Sequence, residues 1–143
     1  MASKRVVAVR GLKLVVEWAV DFRGRTPALD FFKELSREDR QKVLALFKRL
    51  ADIGDISNRE HFKSLGKQGR GLWEFKRFQV RFLGDYRPGG RFLVALGLRK
   101  KKDDLNESDV ERAVRILSEH DERERLEAKN GRQGAHNLRR NGA

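Results

Sequence analysis

Residues 72–102, LWEFKRFQVRFLGDYRPGGRFLVALGLRKKK, decide the fold of this chain. Aromatic and aliphatic residues alternate with polar ones in Leu72–Lys76 and Gln79–Leu83, which predicts two strands. Pro88-Gly89-Gly90 predicts a turn, and the nearly continuous apolar run Arg91–Leu98 predicts a central strand that is packed on both faces. The stretch therefore predicts three strands that end in a basic cluster.

Positive charge is concentrated in the same region. Residues 59–102 contain 13 Lys or Arg and 3 Asp or Glu, a net charge of +10, and the whole chain has a net charge of +12. The segments 1–58 and 103–143 are close to balanced. Such a concentration on strands points to nucleic acid or an acidic protein as partner.

The composition also excludes several classes of protein. A chain of 143 residues is long enough for one domain with a modest core. The absence of cysteine excludes disulfides, thiol catalysis and Cys-type zinc sites. No apolar run approaches the roughly 20 residues of a membrane-spanning helix, and the apolar part of the start, MASKRVVAVRG, is too short for a signal peptide. We expect no membrane partner and a location in the cytoplasm of a prokaryote.

The N-terminal half predicts a strand followed by two helices. Leu12–Val20 is rich in β-branched residues and predicts a strand, with Val6–Val9 as its irregular lead-in. Pro27 suits the first turn of a helix. Ser36 is placed to cap a second helix that ends at Gly54, and the short joint predicts an antiparallel helical hairpin.

The remaining elements complete an α+β fold. His61–Leu65 predicts a short edge strand, and a helix with an apolar stripe is predicted from Ser108, or from Asn106 as its cap, to about Ala128. Lys129–Ala143 contains no acidic residue, and we expect a disordered basic tail there beyond a domain of residues 1–128. The predicted order is β-α-α-β-β-β-α, a twisted antiparallel sheet with the two N-terminal helices packed on one face and a C-terminal helix.

This order, together with particular residues, resembles the RelE/ParE superfamily of toxins from type II toxin–antitoxin systems, most nearly its phage-derived, HigB-like branch. The resemblance extends from Val15 to about Leu117. It is carried, in order, by VVEW (15–18), EDRQKVLALFKRLADIG (38–54), FKSLG (62–66), GLWEFK (71–76), VRF (80–82), LGLRKKK (96–102) and ERAVRI (111–116).

The resemblance implies an activity and a partner. Most members of the superfamily cut mRNA, often on the ribosome, whereas the ParE branch inhibits DNA gyrase; an antitoxin neutralises each. We therefore expect a ribonuclease without metal or cofactor, acting on the open side of the sheet. We also expect a small helix-turn-helix antitoxin whose acidic segment covers the basic face.

Arg81 matches the family's arginine on the corresponding strand. Metal-free RNA cleavage uses the 2′-hydroxyl as nucleophile, and an arginine can stabilise the charge that develops on the phosphate. By alternation, Phe78, Val80 and Phe82 share one face and Arg81 lies on the other. Since the apolar face belongs to the core, we expect Arg81 to point outward. In the alternative interpretation it is a paired structural residue, with Glu74 as its natural partner.

Other cations extend this predicted site. Lys76 matches a second family arginine and is expected on the face opposite Phe75. Arg99 and Lys100 match the basic strand end where the family has another phosphate-stabilising group. The remaining basic residues of the region are expected to bind RNA: Lys63, Lys67, Arg70, Arg77, Lys101 and Lys102.

The group that transfers protons is left open. Relatives carry a tyrosine near the start of the last helix, where this chain has Leu105-Asn106-Glu107, and its only tyrosine, Tyr86, lies after the Arg81 strand. Histidine exchanges protons near neutral pH, which makes His61 a candidate. A lysine whose pKa is lowered by neighbouring cations is the alternative.

Two further interpretations stay open beside the nuclease. The chain could be a non-catalytic toxin or a plain nucleic-acid or gyrase binder on the same fold, or a relative that has lost toxicity. A nuclease requires Arg81 and Arg99–Lys101 to converge on one face, whereas a binder requires only charge. His61, His120 and His136 have no metal-ligand spacing, so we expect no metal site.

Overall fold

The computed structural model describes residues 5–100 and 106–141, with side chains as far as residue 131. It confirms the α+β class. The elements are β1 (Val7–Arg10), β2 (Val15–Trp18), α1 (Pro27–Lys33), α2 (Arg37–Ile53), β3 (Phe62–Ser64), β4 (Trp73–Arg77), β5 (Val80–Arg87), β6 (Arg91–Arg99) and α3 (Glu107–Asn141).

The six strands form one sheet in the order β1-β2-β6-β5-β4-β3. The run predicted to be a central strand is β6, which lies between β2 and β5 and is buried from Arg91 to Leu96. The prediction that all neighbouring strands are antiparallel is wrong for one pair, because β2 and β6 run parallel. Parallel neighbours need a long crossover, and the chain between β2 and β6 supplies one that contains both α1 and α2.

The helices cover opposite faces of the sheet. Phe92 and Val94 belong to the core that includes Phe47 of α2, while Leu93, between them in sequence, packs with Ile116 of α3. Alternate side chains of a strand point to opposite faces, so α3 lies across the sheet from α1 and α2. The expectation that the two N-terminal helices pack on one face is confirmed, and α3 covers the other face because β6 is apolar on both sides.

The predicted helix ends are confirmed with one exception. The Ser36 hydroxyl accepts a hydrogen bond from the backbone N–H of Asp39 at 3.1 Å, and Gly54 closes α2 with a φ of 90°. The Asn106 side chain accepts one from the N–H of Ser108 at 3.0 Å. However, α3 does not end near Ala128, as its apolar stripe predicted, but continues to Asn141. Its last turns combine good helix formers such as Arg139 and Arg140 with Gly131 and Gly134, which helices disfavour, so composition alone does not account for this extension.

Gly84 occupies a bulge where β5 meets β6. A Cβ atom at this position would lie 2.1 Å from the carbonyl oxygen of Leu93, a backbone atom that cannot move aside. We therefore expect Gly84→Ala to lower the free energy of unfolding by about 1–3 kcal/mol. Urea unfolding would measure this, and a change below about 0.5 kcal/mol would show that the bulge relaxes freely.

Candidate functional site

Three of the predicted site residues lie side by side on neighbouring strands. Lys76 of β4 pairs with Arg81 of β5, and the Lys76 N–H donates to the carbonyl oxygen of His61 at 2.9 Å, which extends the ladder beyond β3. Directly opposite residues of an antiparallel pair project to the same face, and strands lie about 4.8 Å apart. We call His61, Lys76 and Arg81 the basic row.

The basic row borders the part of the sheet that α3 covers. Arg81 pairs with Leu98 on its other side, and the next row toward α3 contains Leu83 and Leu96, which pack with Val110. The basic row therefore lies beyond the start of α3, near the end of β4 and the beginning of β5. The expected open face is therefore wrong as a description of the whole sheet, because α3 covers the part next to this end.

Arg81 is more buried than the alternation of polar and apolar residues along β5 suggested. It lies on the expected face, but only 3% of its surface is exposed. Its guanidinium turns back over the β4–β5 hairpin, where Nη1 donates to the carbonyl oxygens of Phe78 and Val80. Nε lies 3.9 Å from Oε1 of the buried Glu74. The expectation that Arg81 points outward is therefore wrong, because carbonyls and a carboxylate hold its charged end along the sheet.

Lysines surround this buried arginine. Lys76 and Lys63 are half-buried, and Lys63 pairs in register with Glu74. Lys100 follows Leu98 by two residues, and its N–H donates to the carbonyl oxygen of Gln79 at 2.7 Å. The structure therefore brings His61, Lys63, Lys76, Arg81 and Lys100 together at one end of the sheet.

Arg99 and Arg77 belong to the other face. Both are register partners of Val80, a residue of the core under α1 and α2. The predicted convergence of Arg81 with Arg99 is therefore wrong, because alternation along β6 gives Arg99 to one face and its neighbours Leu98 and Lys100 to the other. Lys101 and Lys102 lie outside the described residues.

The loop between β3 and β4 places its two cations beside α3. Lys67 and Arg70 are exposed, and Arg70 Nη2 lies 3.7 Å from Oε1 of Glu111. A cavity of about 360 Å³ separates this loop from the start of α3; Gln68, Arg70, Glu107 and Val110 line it. These two predicted RNA-binding residues lie at the edge of the site rather than in the row.

The tip of the β4–β5 hairpin differs from the predicted pattern. Arg77 pairs with Val80, which leaves Phe78 and Gln79 as a two-residue turn. Phe78 has a φ of 53°, a left-handed conformation that costs a bulky residue on the order of 1–3 kcal/mol, and it is 66% exposed. Its expected place on the core face is wrong, since alternation stops where the strand turns. The Arg77 guanidinium carbon lies 4.7 Å from the ring centroid, and Lys42 Nζ lies 5.1 Å from it.

Tyr86 is not available to the basic row. Its side chain packs among Phe62, Trp73 and Phe92 in the core under α1 and α2, and its hydroxyl donates to the carbonyl oxygen of Gly54 at 3.0 Å. Burial raises the pKa of Tyr86 to about 12, and the nearby carboxylate of Asp55 adds to this. His61 is therefore the side chain in the basic row whose type exchanges protons near neutral pH.

Sequence reasoning missed a buried ionic network at the opposite end of the same face. Arg91 forms two hydrogen bonds with the fully buried Glu17, at 2.9 and 3.0 Å, and it also bonds Glu124 of α3. His120 accepts from the N–H of Val20 through Nδ1 and faces Glu124 through Nε2 at 2.7 Å. The one signal in the sequence is a carboxylate inside the apolar strand VVEW. This network attaches α3 to the sheet.

A cleft of about 610 Å³ lies between the loop after β2 and the first half of α3. The exposed ring of Phe22 contributes to its lining. Its charges are mixed, since the lining includes Arg23, Arg25, Arg112, Arg115, Asp21, Asp30 and Glu119. The cleft is therefore less suited to a polyanion than the strand ends around the basic row.

Neither a metal site nor a membrane span is found among the described residues. In that part of the chain, His, Asp and Glu do not form a group of three or more that could hold a metal ion. None of the described helices combines the length and the apolar character that crossing a membrane requires.

The comparison with known families identifies a match. A model described as "Phage derived protein Gp49-like (DUF891)" matches residues 30–118, well over half of the chain. The chain belongs to this Gp49-like family. The matched range begins in α1 and ends in α3, so it contains every residue of the basic row and the hairpin tip. No curated protein matches the chain.

Proposed function

We propose that this Gp49-like protein is the toxin of a type II toxin–antitoxin system and that it cleaves mRNA without a metal ion. Three findings support the proposal: membership in a phage-derived family, the resemblance to RelE/ParE toxins along the same residues, and the charge of the strand ends. The observation that carries it is the basic row, in which a histidine, a lysine and an arginine occupy neighbouring register positions beside further lysines.

The chemistry required of such a site is limited. The ribose 2′-oxygen attacks the adjacent phosphorus, the bond from phosphorus to the 5′-oxygen breaks, and the products are a 2′,3′-cyclic phosphate and a 5′-hydroxyl. His61 accepts the proton of the 2′-hydroxyl, and the ammonium of Lys76 supplies a proton to the departing 5′-oxygen. The charges of Lys76, Lys100 and the buried Arg81 stabilise the additional negative charge on the phosphate.

The buried position of Arg81 gives it a positioning role in this proposal. Its guanidinium bonds the hairpin carbonyls and lies near Glu74, so it fixes the β4–β5 hairpin on which the basic row depends. Its charge still acts on a phosphate above it, because interactions are screened little in a partly buried site. Lys76, which is half-exposed, would contact the phosphate directly.

A non-catalytic toxin, or a binder of gyrase or nucleic acid, is the second candidate. The observation that favours it is the separation of Arg99 from Arg81 onto opposite faces, which leaves fewer cations in one place than expected. A binder would use charge on both faces, whereas a nuclease depends on the basic row alone. The partner expected with either function is an antitoxin whose acidic segment covers the strand ends, with the ribosome as a further partner of the nuclease.

Induction of single variants in a bacterial host separates these functions. We expect the wild type to arrest growth and to produce new mRNA ends, and Lys76→Met to reduce the new ends about 100-fold, because it removes both a proton donor and a phosphate contact. Arg49→Met, which removes an exposed cation from α2, is the matched control and should behave as the wild type. Growth arrest without new ends would contradict the nuclease, and equal cleavage by Lys76→Met would contradict the role of the basic row.

A further inference from the structure

The exposed ring of Phe78 combines several features that a folded core does not explain. It is 66% exposed and occupies a left-handed backbone position that phenylalanine rarely adopts. The fold nevertheless holds it in place, since Arg81 donates a hydrogen bond to the Phe78 carbonyl oxygen. Strained and rigidly held positions of this kind occur at sites of function.

The charges around the ring indicate what it binds. Arg77 and Lys42 both contact the ring, and Lys42 also pairs with Glu38 of α2 at 2.8 Å, so the two cations outnumber one carboxylate there. An aromatic ring beside cations is the arrangement by which proteins hold single-stranded nucleic acid, with bases stacked on the ring and phosphates on the cations. An acidic protein segment would also match the charges, and contact of the ring with such a partner is an outcome of the test.

We propose that Phe78 is a stacking platform for an unpaired RNA base, with Arg77 and Lys42 binding the phosphates on either side. The proposal rests on the proposed function and deepens it: the ring lies with Arg77 and Lys42 on the α2 side of the hairpin tip, so it would hold a base of the RNA that continues around the strand ends from the basic row. Cation–ring contacts at exposed positions are weak, so an arriving base can displace a cation, which then pairs with phosphate.

The first test measures binding without cleavage. The probe is a short, fluorescently labelled single-stranded oligonucleotide with 2′-O-methyl riboses, which has no free 2′-hydroxyl. We expect Phe78→Asn to weaken its binding by about 5- to 150-fold, the effect of one lost base–aromatic stack. The slope of the logarithm of the binding constant against the logarithm of the salt concentration should stay unchanged, because no phosphate contact is removed. Asparagine tolerates a positive φ, so this variant should fold at least as stably as the wild type.

Two further variants and one duplex make the test specific. Phe78→Trp should retain binding, and its added tryptophan fluorescence should be quenched by the oligonucleotide. Phe22→Asn, which removes an exposed phenylalanine from the loop after β2, should bind as the wild type does. A duplex of the same sequence should bind more weakly and should not distinguish Phe78→Asn from the wild type, because its bases are already stacked.

The failure of this proposal is distinguishable from that of the nuclease. Equal binding by Phe78→Asn and the wild type, no binding by either, or a preference for duplex would each overturn the stacking platform, and equal binding would indicate that the ring contacts a protein partner. New mRNA ends in the host would still support the nuclease in that case. Conversely, binding that depends on Phe78 without any new mRNA ends would support the platform and contradict the nuclease.

Discussion

Replacing Arg91 with methionine should lower the free energy of unfolding by about 3–5 kcal/mol. Arg91 holds the carboxylate of Glu17, whose surface is 0% exposed, through two hydrogen bonds, and it also bonds Glu124. Removing the guanidinium leaves the Glu17 charge buried without its main partner, since Arg5 approaches only to 3.8 Å from a half-exposed position. Chemical denaturation of purified protein measures the loss.

The matched control is Arg115→Met, in which the removed side chain is 66% exposed and the partner Glu119, one turn away on α3, keeps its hydrogen bond from the Phe22 N–H. Exposed pairs of this kind contribute at most about 1 kcal/mol, so this control should be nearly neutral. A loss below about 1 kcal/mol for Arg91→Met would contradict the importance that we give to the network.

The pH dependence of the same variant provides a second check. Burial raises the pKa of Glu124, but hydrogen bonds from Arg91 and His120 outweigh it, and the net pKa is lowered from the ordinary 4.5. A carboxyl with a lowered folded-state pKa stabilises the protein above the unfolded-state value, and this contribution is lost as the pH falls through the folded-state value. The stability difference between the wild type and Arg91→Met should therefore shrink in acid.

Replacing Arg81 with alanine should lower the free energy of unfolding by about 3 kcal/mol. We expect it to reduce activity as well. The substitution removes the hydrogen bonds to the hairpin carbonyls and leaves Glu74, which is only 6% exposed, without this cation. Thermal unfolding measures the cost. Lys76→Met, which alters a half-exposed member of the same row, is the control and should change the melting temperature by only a few degrees.

The result determines which variant tests catalysis. If Arg81→Ala unfolds at a much lower temperature, its loss of activity cannot be attributed to the phosphate, and Lys76→Met becomes the informative variant. An unchanged melting temperature for Arg81→Ala would contradict the structural role that its burial indicates. Arg81 would then act mainly on the phosphate, as the alternation in the sequence first suggested.

Local signals predicted the elements of this fold well. Ser36 and Gly54 carry cap chemistry that depends only on the residues beside them, and both helix ends are confirmed. The apolar run of β6 predicted a strand covered on both faces, which is also confirmed. The same run could have shown that α3 must cover the second face, but the stripe of a helix does not indicate which side of a sheet it packs against.

The site was less predictable because it depends on where alternation stops. The alternation rule assigned Phe78 to the core and exposed Arg81, yet the strand turns at Phe78 without any glycine or asparagine to signal it. Once the chain turns there, the carbonyl oxygens of the hairpin become partners for Arg81. Glu17 was overlooked for a related reason, since its main partner, Arg91, lies 74 residues away in sequence.

The chemistry of the new RNA ends tests the central claim most directly. Cells that express the wild type should contain new mRNA 5′ ends that carry a hydroxyl, because attack by the 2′-oxygen leaves the phosphate on the other fragment. Such ends become ligatable only after treatment with a polynucleotide kinase, and they should be nearly absent with Lys76→Met and unchanged with Arg49→Met. New ends that already carry a 5′-phosphate, or growth arrest with no new ends, would contradict cleavage by the basic row.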